Sequence, residues 1–207
     1  MNPNSIERLI SALESRPYPP PLAPRHVWQP GLDEEIAELA ARVPGDDPRD
    51  KEASQAVQAM ATALHLWNDS LESAHRIVQL FEYIPTFDLL HGIVHRREGD
   101  YANSRYWLRN AGHHPAYYGL QARASRLLEG KDWTEVDAEA GSALNAMAEQ
   151  GEWNPYLFLE AVAIRQSRVG GEEAKEVLEQ LQLLELRSIV RYLEGLLRQE
   201  GREGDEA

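Results

Sequence analysis

The chain has 207 residues, a formal net charge of −13 and 43% hydrophobic residues, which suits one soluble globular domain with a sizeable core. It contains no cysteine, so disulfides and thiolate metal or nucleophile sites are excluded. The acidic balance repels a phosphate backbone and counts against nucleic acid as a partner, and no apolar run approaches the length of a membrane span.

The N-terminal MNPNSIERLISALESR lacks a basic segment followed by an apolar core, so a cytoplasmic address is expected. Asn4 to Arg16 reads as a short amphipathic helix, with Ile6, Leu9, Ile10 and Leu13 at helical spacing. Pro17 ends it. The segment PYPPPLAP, residues 17–24, must be extended because successive prolines remove donors and impose polyproline geometry; it is expected to lie as a strap across the body. Asp33 to Val43 resumes a helix, and PGDDPRD breaks it. Residues 1–49 are thus expected to form N-terminal helices and a strap packed on a body of residues 50–200.

In that body Lys51 to Trp67 and SLESAHRIVQLFEY flank Asn68-Asp69, and Thr86 to Arg97 and Tyr101 to Gly112 flank Glu98-Gly99-Asp100. Gly130-Lys131-Asp132 leads into a long helix expected from Trp133 to about Gln150. Asn154-Pro155 reads as an N-cap with proline at the first helical position of YLFLEAVAIRQSR. Gly170-Gly171 stops that helix, Glu172 to Gln199 is helical, and the acidic tail 201–207 is expected to fray. Asn68, Gly99 and Gly130 stand 31 residues apart. No segment has the alternation of a strand, so the fold class is all-α: stacked antiparallel helix hairpins, each too small to bury its own apolar face.

The centre of the chain is HGIVHRREGDYANSRYWLRNAGHHP, residues 91–115. It resembles a tetratricopeptide repeat: Gly92 stands where that repeat has its small residue, Gly99-Asp100-Tyr101 matches the turn, and Leu108, Ala111 and Pro115 follow near the usual offsets. His95 departs from the usual aromatic residue and Ser104 from the usual alanine; the hairpin at Asn68 has Ala61 for the glycine and ends at Pro85, and the one at Gly130 matches only at its turn. The resemblance implies a tetratricopeptide-like α-α superhelix that binds protein. The string HGIVHRREGDY with a later YW and HP also resembles a group of helical proteins from bacteria and fungi, a likeness that implies no activity.

Two chemical readings of this stretch stay open. From Leu89 to Arg126 there are six arginines, no lysine and two acids, a local charge of +4 in a strongly negative chain. Guanidinium groups suit carboxylates and phosphates. On this reading His91, His95, Arg96, Glu98, Arg105 and Arg109 line one groove that captures an acidic peptide or small anion, with no cofactor expected. In the alternative, His91, His95 and Glu98, within roughly 60° on one helix face, hold a divalent transition metal with His75 as a further ligand, in a metal-dependent protein or small enzyme. Against the metal stand the adjacent Arg96 and Arg97 and the absence of His-Glu-x-x-His. If the histidines are instead structural, Glu98 is expected to pair with Arg97 or an arginine of the next helix. Ser104 has no histidine at an activating spacing, Gly170-Gly171 lacks the Lys-Ser/Thr of a phosphate loop, and Tyr101, Tyr106, Trp107, Tyr117 and Tyr118 read as packing residues.

Overall fold

The computed structural model describes residues 3–41, 48–167 and 171–205, and side chains within 5–41, 51–167 and 171–199. Val43, residues 44–47 of the expected break and the expected stop at Gly170 lie outside the described residues, whereas Pro48, Arg49 and Asp50, expected in the break, are helical because proline fits the first turn of a helix. Eleven α-helices occur among the described residues. They are α1 (Pro3–Glu14), α2 (Pro30–Ala41), α3 (Pro48–Trp67), α4 (Leu71–Val78), α5 (Pro85–Glu98), α6 (Tyr101–Ala111), α7 (Leu120–Leu128), α8 (Trp133–Val136), α9 (Ala140–Ala148), α10 (Pro155–Gln166) and α11 (Glu172–Asp205). A 3-10 turn spans Pro115–Tyr117, and no strand occurs among the described residues. None of the described helices is long and apolar enough to cross a membrane.

The core is built around α3 and α5. Val57, Met60, Ala61, Leu64 and Trp67 of α3 are buried, and the helix packs against α1, α2, α4, α5 and α11. Helix α5 is buried at every position from Phe87 to Arg97. So deeply buried a stretch gives its polar residues little access to water and drives them toward partners within the protein.

Helices α5 and α6 form the tightest hairpin. Gly99 closes α5 with φ 85°, the left-handed region that favours glycine, and the Asp100 side chain caps α6 by accepting from the Asn103 amide at 3.1 Å. Gly92 lets α6 approach: a Cβ there would stand 2.8 Å from Leu108 Cγ. The Ser104 hydroxyl, buried in the same crossing, donates to the Gly92 carbonyl at 2.7 Å.

The residues expected as one helix from Trp133 to Gln150 form two. Asp137 adopts an extended backbone, and its carboxylate accepts from the amides of Glu139 and Ala140 at 3.1 and 3.0 Å, so it ends α8 and caps α9. Gly141 then passes so close to the Trp133 carbonyl that a Cβ would lie 2.1 Å from its oxygen. The cap overrides a continuous helical pattern. Asn154 caps α10 through the Tyr156 and Leu157 amides, and α11 continues beyond Gln199 as far as Asp205.

The segment 17–24 lies on the body between α5 and α11. Arg97 donates to the Pro21 carbonyl at 3.0 Å, and Gln182 donates to the carbonyls of Pro20 and Pro21, each at 3.1 Å. Side-chain donors from neighbouring helices thereby satisfy carbonyls that a polyproline segment cannot pair internally.

Candidate functional site

The histidines of α5 face α4. His91 and His95, one helical turn apart, stack with ring centroids 4.8 Å apart, and His75 of α4 meets them edge-on at 5.1 and 4.9 Å. One candidate donor nitrogen from each of the three lies within 4.8 Å of the others. The His75 and His91 Nε2 atoms are 3.3 Å apart. Trp107, projecting from α6, closes the other side of His91 with its ring stacked at 4.1 Å.

Glu98 is one turn beyond His95 and reaches back over the cluster. Its Oε1 accepts from His75 Nδ1 at 2.9 Å and its Oε2 lies 3.4 Å from His95 Nδ1. The second contact is an ion-pair distance without hydrogen-bond geometry, so His95 Nδ1 is a buried nitrogen with no hydrogen-bond partner. The bond to Glu98 assigns the His75 proton to Nδ1 and leaves its Nε2 lone pair facing His91.

Burial holds the pKa values of His91 and His95 down. His91 is 4% exposed, and its pKa is pushed down to about 3, first by burial and then by its neighbours His95 and His75. His95 is lowered too, by burial and by His75, against the opposing pull of Glu98 and Asp100. His91 is therefore neutral at neutral pH, with its Nε2 donating to His75 Nε2 at 3.3 Å, and a metal ion bound there would take the place of that proton.

The arginines that stand beside the histidines in sequence are directed elsewhere. Arg96 points into the core, where Glu185 of α11 accepts at 2.5 and 3.3 Å and the Phe158 ring lies 4.5 Å below the guanidinium. Arg97 is held by Asp69 at 2.5 Å, by the Leu66 carbonyl and by Pro21. Asp69 also binds Arg16 at 2.7 Å, which ties the end of α1 to the α3–α4 turn. Both guanidinium groups beside the histidines are thus paired with carboxylates, Arg96 with Glu185 and Arg97 with an Asp69 that it shares with Arg16.

Of the six residues expected to share one groove, His91, His95 and Glu98 come together, joined by His75. Arg96 is withdrawn to Glu185, and Glu98 pairs with histidines rather than with an arginine. Arg105 and Arg109 occupy another flank. They line a hollow of about 480 Å³ with Ala102, Tyr106 and Tyr156, and no histidine borders it. The reason is helical phase: Trp107 is the residue of α6 that faces His91, and positions two before and two after it point roughly 160° away. Arg105 lies over the Tyr156 ring at 5.8 Å and Arg109 over Tyr106 at 6.0 Å; among the described residues neither forms an ion pair.

Trp107 and Tyr117 are buried, whereas Tyr106 and Tyr118 are exposed. Three residues with central roles escaped sequence reasoning. Glu185 lies far along the chain and carries no local signal, Asp69 reads as an ordinary turn residue, and Trp107 reads as packing. The usable hint was the adjacent Arg96 and Arg97 directly after the apolar Ile93 and Val94, since a buried guanidinium demands a partner from elsewhere in the fold.

No family model, curated protein or solved structure matches the chain.

Proposed function

We propose that this protein binds a divalent transition metal through His75, His91 and His95, held on a scaffold of tetratricopeptide-like hairpins. One observation carries the reading: three candidate donor nitrogens lie within 4.8 Å of one another. Two imidazole ligands at about 2.0–2.1 Å on a tetrahedral ion stand about 3.3–3.4 Å apart, and ring centroids on such an ion are about 5 Å apart. The 3.3 Å separation of the His75 and His91 Nε2 atoms, a direct hydrogen bond while no ion is bound, suits that geometry, and the His95 donor, within 4.8 Å, would close in on the ion. The two arginines that would oppose a cation are paired with Glu185 and Asp69. Imidazole donors suit zinc, nickel, copper or iron over magnesium or calcium.

Calorimetric titration of the chelator-treated full chain with zinc should show one equivalent bound, with a rise in melting temperature that grows with free metal. His91→Ala should abolish stoichiometric binding while the helical circular dichroism persists. A chain that takes up no stoichiometric zinc, nickel, copper or iron rules the reading out.

A second reading is supported by the guanidinium groups of Arg105 and Arg109, which form no ion pair among the described residues. In a chain of −13 they face two tyrosines without a carboxylate, a setting for an acidic peptide or small anion. A fluorescent oligoglutamate peptide should bind the wild type and weaken with added salt; Arg105→Ala or Arg109→Ala, both at exposed positions, should each lose about 0.2–1 kcal/mol of that affinity. Equal binding by both variants rules this site out.

A further inference from the structure

We infer that the histidine centre is a three-nitrogen site whose fourth position takes an exchangeable water or small anion, with Glu98 acting outside the coordination shell. This rests on the metal reading above and concerns what the metal is left free to bind.

The argument begins with which atoms face inward. Glu98 accepts from His75 Nδ1 and approaches His95 Nδ1, so its two oxygens span the outer nitrogens of two rings. The inner edge is made by imidazoles, with His75 Nε2 opposite His91 Nε2. The compact group of donor atoms comprises His75, His91 and His95 and omits Glu98. For Glu98 to become a ligand it would have to release the nitrogen that orients His75. A carboxylate on the distal nitrogen of a ligating histidine is instead the outer-shell arrangement that fixes tautomer and ring orientation and raises donor basicity.

The remaining position has no side chain to fill it. Among the described residues no other histidine, aspartate or glutamate joins the group, and the sequence has no cysteine. Four protein ligands make a closed structural site, whereas three leave a place for water or substrate. Solvent can reach that place from one side. His91 and His95 are buried and Trp107 covers His91, but the His75 and Glu98 side chains are 22% and 31% exposed. The partly exposed α4 edge is thus the side from which an exchangeable ligand would enter.

Charge selects the ligand class. Three neutral imidazoles leave a divalent ion with both its charges, and the nearby Glu98 carboxylate offsets one. The centre keeps a net positive charge in a partly desolvated pocket, so hydroxide, a carboxylate or a small inorganic anion is favoured over a neutral donor. This selection is separate from the arginine hollow, because no histidine borders that hollow.

The full chain loaded with cobalt(II) and titrated with azide tests the inference through its visible spectrum. Stoichiometric cobalt uptake reports on the metal reading alone. A saturable change of the cobalt bands with azide, attenuated at high pH as hydroxide competes, is the expected result. Cobalt bound with no response to azide overturns the open position while leaving metal binding intact; no cobalt uptake overturns both. Glu98→Gln separates the two roles of the carboxylate. The variant should still bind one equivalent with the wild-type band shape, with affinity about 10–100-fold weaker. If it instead yields a changed band intensity and position at full occupancy, Glu98 is a ligand and the outer-shell role is wrong. The azide titration needs only the wild-type chain, so a variant that fails to fold does not decide it.

Discussion

Glu185→Ala should destabilise the protein by about 3–5 kcal/mol, the range for removing one partner of a buried ion pair. Glu185 and Arg96 have no solvent-exposed side-chain surface. Losing the carboxylate strands a guanidinium that water cannot reach, whose Nε already lacks a hydrogen-bond partner. It also removes the acceptor of the buried Tyr117 hydroxyl, 3.2 Å from Glu185 Oε1. The Phe158 ring beneath Arg96 softens the loss without replacing a carboxylate. Urea unfolding checks the value. The double variant Arg96→Met, Glu185→Leu should recover much of the stability, since replacing both partners by apolar groups leaves no uncompensated charge. A single variant within about 1 kcal/mol of wild type would mean that water enters the pair.

Gly92→Leu should be the second severe change, lowering stability by about 1–3 kcal/mol or more. Leu108 lies across from Gly92 at the α5–α6 crossing, 1% exposed. An added Cβ alone would lie 2.8 and 2.9 Å from Leu108 Cγ and Cδ2 and 3.2 Å from its backbone nitrogen. The side chain could yield to alanine by shifting, but the backbone contact leaves no space for a further branched group. The crossing also holds the bond from Ser104 to the Gly92 carbonyl, so separating the helices exposes a buried hydroxyl. The melting temperature should fall by about 2–4 °C for each kcal/mol in a chain of this size. Gly92→Ala should lose less, because alanine's better helix propensity, about 1 kcal/mol, opposes the crowding. An unchanged melting temperature for Gly92→Leu would show that the helices separate freely here.

These two sites differ in how far they could be read in advance. Gly92 was legible through the resemblance of its stretch to a tetratricopeptide repeat, which implies a small residue at that place, and the steric demand behind it is local. Glu185 was not, because its partner stands 89 positions earlier in the chain and nothing near either residue encodes the other. The histidine centre falls between these cases. His91 and His95 share a helix face by spacing alone, whereas bringing His75 to them depended on the packing of α4 against α5.

By itself the sequence determined the helical class, the turns at Asn68, Gly99 and Gly130, the caps at Asp100 and Asn154, and the shared face of His91, His95 and Glu98. These follow from backbone preferences and helical periodicity, which act over a few residues. Only the tertiary structure decided where each charge goes. It enclosed α5, sent Arg96 to Glu185 and Arg97 to Asp69, turned Arg105 and Arg109 away from the histidines, and split Trp133–Gln150 at the Asp137 cap. Burial is the physical reason: a polar group deprived of water is forced onto whichever partner the fold brings within reach, and that partner is set by three-dimensional packing rather than by position along the chain.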